Sequence, residues 1–79
     1  MKVFTGWRRE PPQEYIDEGI TNGPDKPDYE GVVFSDGTVV LNWLTLAHSV
    51  AVFPTLDMFM RIHGHPEYGT RIEWHEVNA

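Results

Sequence analysis

The sequence predicts a small α+β domain. Its antiparallel sheet is a three-stranded meander plus a C-terminal strand, with one helix packed on a face, in the order β-β-β-α-β after an irregular N-terminal segment. Three observations carry this reading. The stretch "GVVFSDGTVVLNWLT" is two apolar runs joined at Asp36-Gly37, a strong hairpin signal because glycine supplies the positive φ that such turns need. "PTLDMFMRIHG" carries apolar residues at helical spacing between a capping threonine and a glycine stop. "TRIEWHEV" then returns to the two-residue alternation of a half-buried strand. Strands, then a helix, then a strand fit a helix laid over one sheet face.

A chain of 79 residues is one domain, spanning 1–79, with a core near the lower limit of self-sufficiency. Residues 1–28 form an N-terminal segment of strand, short helix and loop, and 29–76 form the core. In "KVFTGWR", Val3, Thr5 and Trp7 alternate with Phe4 and Gly6, a weak strand signal. In "PPQEYIDEG", Pro12 suits a first helical turn, the acids suit the helix dipole and Gly19 suits a stop, giving at most two turns. "ITNGPDKPDYEG" reads as loop, since Asn22-Gly23-Pro24 and Pro27 interrupt any regular element.

Past the hairpin turn, Val39, Leu41 and Trp43 share one strand face while Val40, Asn42 and Leu44 share the other. Both faces are largely apolar, which predicts a central strand of the sheet. "LAHS" makes a tight turn into "VAVF", Val50 to Phe53. In the helix, Thr55 is the expected N-cap, Asp57 sits in the first turn, and Gly64 with Pro66 ends it. Leu56, Phe59, Met60 and His63 form its apolar stripe, with Met58 and Ile62 flanking it. Ile72 and Trp74 are expected to face inward from the last strand, and Arg71, Glu73 and His75 outward.

The net charge is −6, and eight of the twelve acids lie between Glu10 and Asp36, where Lys26 is the only basic residue. A negative field repels phosphate, so nucleic acid is not an expected partner. The absence of cysteine leaves neither a disulfide nor a thiolate zinc site to supplement the core. No apolar run approaches the ~20 residues of a membrane span, so no membrane association is expected. The apolar hairpin and small core predict a homodimer, unless Phe4, Trp7, Tyr15 and Ile16 cover the sheet's second face within one chain.

His63, His65 and His75 fall within sixteen residues, "RIHGHPEYGTRIEWHE". His63 and His65 are two apart across a helix stop and are expected to diverge, unlike the i, i+4 pair of a helical zinc motif. His63 at a helix C-terminus should be favoured in its protonated form by the dipole. No metal, cofactor or catalytic residue is expected: Ser35 and Ser49 lie in turns without a nucleophile elbow, and no phosphate-binding loop is present. The reading is of a protein that is not an enzyme. Its expected protein-binding residues are Trp7, Tyr15, Tyr29 and Tyr68, large rings in or beside the least regular segments, with Glu14, Asp17 and Glu18 to steer a basic partner. Trp7 and Tyr15 have a competing role as core residues.

The pieces "GVVFSDGTVVL", "NWLT" and "IHGHPEYGTRIEW" resemble small accessory proteins of uncharacterised function encoded by bacteriophages of actinobacteria, over residues 29 to 76. That resemblance implies a phage origin and expression in the cytoplasm of the host bacterium. It also implies action by binding a host or phage protein to modulate a host process or defence. The alternatives are a self-assembling structural or scaffold component, or an oligomer that sequesters a small ligand between its subunits.

Overall fold

A computed structural model describes residues 1–76. They form one antiparallel sheet of five strands: β1 (Lys2–Arg8), β2 (Tyr29–Val33), β3 (Val39–Trp43), β4 (Val50–Phe53) and β5 (Thr70–His75). The spatial order is β4-β3-β2-β1-β5. A short helix α1 (Gln13–Asp17) follows β1, and the longer α2 (Leu56–His63) joins β4 to a 3-10 turn at Pro66–Tyr68.

The α+β class and the meander are as the sequence predicts, but the N-terminal segment is more than an irregular lead. Its weak strand signal corresponds to β1, which sits inside the sheet between β2 and β5. The expected loop is also shorter, because Tyr29, Glu30 and Gly31 already pair with Gly6, Thr5 and Phe4. Strand β3 has the two neighbours its apolar faces predict, although the middle position belongs to β2. The last strand ends at His75; Val77, the final residue of the expected strand, lies outside the described residues.

The hairpin between β2 and β3 closes through Gly37 N–H donating to Phe34 O at 2.9 Å and Phe34 N–H donating to Thr38 O at 2.8 Å. Gly37 has φ +93°, and Asp36 accepts from Thr38 N–H at 2.9 Å, which holds its carboxyl below the usual range. The connection is thus one residue longer than a two-residue hairpin, with glycine in the left-handed position. Thr55 caps α2 by accepting from Met58 N–H at 3.1 Å.

The core is Phe4, Tyr29, Val39, Leu41 and Phe59, all fully buried. Phe59 on α2 meets Tyr29, Phe53 and Trp43 at centroid distances of 5.1, 5.4 and 6.2 Å, so the helix covers β2 to β4. Glycine makes the sheet thin enough for those rings. A Cβ at Gly6 would fall inside the Tyr29 ring, and one at Gly31 would strike Phe4 and come within 3.0 Å of Leu41. Trp74 faces inward as expected and meets Phe4 edge-on at 5.4 Å. It stays 49% exposed, because α2 sits over the other end of the sheet.

The opposite face is not covered by the N-terminal segment. Phe4 points into the core and Tyr15 lies at the end of the sheet, leaving only Trp7 on the far side, where the Arg71 guanidinium sits 5.0 Å from its ring. Val3, Val32, Val40 and Val52 stand in register as one row across four strands of that face.

Candidate functional site

The two-residue alternation of β1 that sends Phe4 and Gly6 to the core also sends Arg8 there, at the strand's last position. Arg8 is only 4% exposed. Its Nη1 lies 3.5 Å from Asp28 Oδ2, and its Nη2 donates to the carbonyl of His63 at 3.2 Å. The guanidinium is flanked by two rings, with Trp43 and Tyr68 at 5.7 and 5.5 Å from its carbon. Its Nε is buried without a hydrogen-bond partner.

Asp28 is set by the segment just ahead of β2. Its carboxylate accepts from Asn22 N–H at 2.9 Å, while Asn22 Nδ2 ties the turn to Pro27 O and Leu44 O at 2.8 and 3.2 Å. The backbone of Asp28 bonds to both neighbouring strands, donating to Gly6 O at 2.8 Å and accepting from Leu44 N–H at 2.7 Å. Burial pushes the Asp28 carboxyl above the usual carboxylate range, outweighing the Asn22 hydrogen bond and the Arg8 charge. Losing either member of the pair would leave the other buried and unpaired.

Above Arg8 opens a cleft of about 470 Å³, lined by Arg8, Tyr15, Ile20, Trp43, Thr45, Ala47, Ser49, His63, His65 and Tyr68. Four parts of the chain meet there. The end of β1 contributes Arg8, α1 and its exit contribute Tyr15 and Ile20, β3 and the β3–β4 loop contribute Trp43 to Ser49, and the exit of α2 contributes the histidines and Tyr68. The loop is docked on α1 through Ala47 N–H donating to Gly19 O at 3.0 Å.

The two histidines do not diverge. Both line this cleft, because His65 adopts a left-handed conformation with φ 39° that turns the chain back toward β1. Gly64, the expected stop residue, keeps a right-handed φ of −64°. His65 stacks on Tyr68 at 4.8 Å and 15° and pairs with Glu67 at 2.9 Å, which lowers the Glu67 carboxyl below its usual range. Thr70 Oγ1 donates to His65 O at 2.9 Å and braces the turn. His63 stacks on Phe59 at 5.5 Å and meets Trp43 edge-on at 5.5 Å. Burial, then His65 and Arg8, lower its pKa, so desolvation overrides the expected dipole preference for the protonated ring. His75 is on the opposite sheet face, hydrogen-bonded to Thr5 Oγ1 at 2.6 Å. Among the described residues no three His, Asp or Glu converge on a point that could hold a metal ion.

The residues expected to bind a partner separate into four places. Tyr15 and Tyr68 come together edge-on at 6.3 Å on one wall of the cleft, and burial beside Tyr15 raises the Tyr68 phenol pKa. Glu14, Asp17 and Glu18 are exposed on and just after α1, behind Tyr15. Trp7 lies across the sheet from the cleft. Tyr29 is fully buried and cannot offer its ring to a partner; burial holds its phenol at a pKa of about 12. The sequence reading missed Arg8, Asp28 and Trp43 as site residues. The parity of Phe4, Gly6 and Arg8 is the signal that could have placed Arg8 on the core side.

The model of one family, Acb5 phage protein, matches residues 29–76. The chain belongs to the Acb5 phage protein family. No curated protein and no solved structure matches it. The matched segment covers β2 to β5 and α2, while Arg8, Tyr15 and Ile20 of the cleft come from residues ahead of it. In this Acb5 family member β5 pairs, among the described residues, only with β1, so the leading segment also supplies the strand that anchors β5. No helix among the described residues is long and apolar enough to cross a membrane.

Proposed function

We propose that this phage accessory protein acts by binding rather than by catalysis, and that the Arg8 cleft is its binding site for a small ligand bearing a negative group and a flat ring. The observation that carries the reading is a buried guanidinium held between Trp43 and Tyr68 at the base of an open, aromatic-walled hollow. None of the ten lining residues is acidic, although the chain as a whole is. The Arg8 guanidinium favours an anion, and stacked side chains such as His65 and Tyr68 offer a platform for a ring. The volume falls within the range of small-molecule pockets. This is the sequestering alternative drawn from the sequence, with the pocket built inside one chain rather than between subunits.

The compartment that goes with this reading is the cytoplasm of the host, with a phage of actinobacteria as the source. A second reading, docking of a host or phage protein, is favoured by the uncovered valine row on the other sheet face.

Titration calorimetry with AMP, adenosine and inorganic phosphate tests the proposal. AMP is expected to bind more tightly than either fragment, because only AMP combines ring and anion, and Tyr68→Ala should weaken it at least tenfold while leaving the fold intact. Absence of heat with AMP and with other mono- and dinucleotides, on folded protein, would reject the cleft as a site for this ligand class.

A further inference from the structure

The two edges of the sheet are protected unequally. Strand β5 carries Arg71 and Glu73 along its edge, charges that discourage pairing with another strand. Strand β4, Val50–Phe53, carries no charge and among the described residues pairs only with β3, and its Val50 and Val52 are 62% and 65% exposed. The adjoining helix adds Met58 and Ile62, at 42% and 53%. The two valines belong to the open face and the two helix residues to the core side, so the β4 edge is flanked by exposed apolar side chains on both sides of the sheet.

Hydrogen-bond alternation shows which backbone groups β4 leaves free. Trp43 N–H donates to Ser49 O at 2.8 Å, and the register continues as Asn42↔Val50, Leu41↔Ala51, Val40↔Val52 and Val39↔Phe53. In an antiparallel ladder bonded pairs alternate with unbonded ones. Ala51 and Phe53 thus bond to β3, while Val50 and Val52 turn their N–H and C=O outward. The most exposed residues of the strand are also those with unused backbone groups.

We propose that β4 is the contact surface for a second copy of this chain, paired antiparallel about a two-fold axis at Ala51. In that register Val50 pairs with Val52 of the second copy and the reverse, which uses all four outward groups on each side. Ala51 faces its own counterpart at the unbonded position, where strands approach most closely and a small side chain fits. Moving the axis to Val52 would set Val50 opposite Pro54, which has no N–H to give. The strand is therefore self-complementary in the register centred on Ala51, which pairs all four outward groups within β4 itself. Charge points to the same occupant. At −6 the chain repels itself over most of its surface, yet β4 is uncharged and the nearby Asp57 is paired with Arg61 at 3.0 Å. A charged partner strand would find no counter-charge on β4.

Sedimentation equilibrium on the full chain tests this, alongside amide exchange. A four-residue edge is a small contact, so the shift from monomer to dimer is expected as concentration rises toward about 1 mM. The Val50 and Val52 amides should slow over the same range in proportion to the paired fraction, about twofold where half the chains are dimeric. Val52→Lys, at an exposed position, should keep the monomer's melting temperature and abolish the shift, while Val52→Thr retains it. A chain that stays monomeric at about 1 mM overturns the proposal. So does a dimer that survives Val52→Lys, or one in which the Val50 and Val52 amides keep their monomer exchange rates, since packing through the open face that Val52 shares with Val40 would leave those amides unpaired.

Discussion

Replacing Gly6 with alanine is the sharpest probe of how the core is built. Gly6 pairs with Tyr29 across β1 and β2, and an added Cβ would lie 2.6 Å from Tyr29 Cδ2 and closer still to two other ring atoms. The ring has no direction in which to yield. Phe4, Trp43 and Phe59 surround it at centroid distances of 6.4, 4.9 and 5.1 Å. Overpacking a tight core costs about 1–3 kcal/mol, and a fixed ring over backbone argues for the upper part of that range. Alanine regains about 0.5–1 kcal/mol because it restricts the unfolded chain more than glycine does. A net loss near 2 kcal/mol remains, which for a domain of this size lowers Tm by about 8–16 °C. Thermal unfolding followed by circular dichroism measures it, with Gly23→Ala as the control because nothing lies within 4 Å of that added Cβ. A Gly6→Ala protein melting within about 2 °C of the control would refute this account of the packing.

Tyr29→Phe should be neutral or stabilise by up to about 1 kcal/mol, since the buried hydroxyl has no hydrogen-bond partner; a loss above that in urea unfolding would show that the hydroxyl is bound. Gly37→Val should cost more than about 1 kcal/mol, because φ +93° suits glycine and not a β-branched side chain; an unchanged melting curve would count against the turn. His63 has a folded pKa below its unfolded value of about 6.5. The unfolded chain therefore binds the proton first, and stability should fall as pH drops from about 6.5 toward the lowered pKa. His63→Phe, which keeps a ring against Phe59, should flatten that slope in melts from pH 7.5 to 5, and a slope equal to wild type would assign the acid sensitivity elsewhere.

What the sequence made legible was local. Thr55 caps a helix through a hydrogen bond three residues away, Gly37 answers to its own φ, and "VAVF" is bounded by turns on both sides, so each signal lies inside the element it announces. Long-range placement was not legible. The strand signal in "KVFTGWR" is weak because Gly6 interrupts it, yet that glycine is there to make room for Tyr29, 23 positions onward in the chain. For the same reason Tyr29 reads as a loop aromatic free to bind a partner when it is the centre of the core. The histidines mislead in the other direction. Spacing alone separates His63 from His65, and only a left-handed φ at His65, which no local residue type demands, brings both to one cleft.

The site and the fold share one dependence, and it lies ahead of the segment that matches the Acb5 phage protein family. Among the described residues strand β1 is the partner of β5; it also delivers Phe4 to the core and ends on the arginine at the base of the cleft. Arg8 in turn pairs with Asp28, just ahead of β2, and donates to the carbonyl of His63 at the end of α2. One guanidinium thus ties the first strand to the lead-in of β2 and to the exit of α2. Its Nε is buried without a partner and its charge lies between two rings, an arrangement that a shorter apolar side chain would pack at less desolvation cost. A purely structural role explains the two bonds but not the open, acid-free hollow built above them. The proposed anion site would account for both features with one residue.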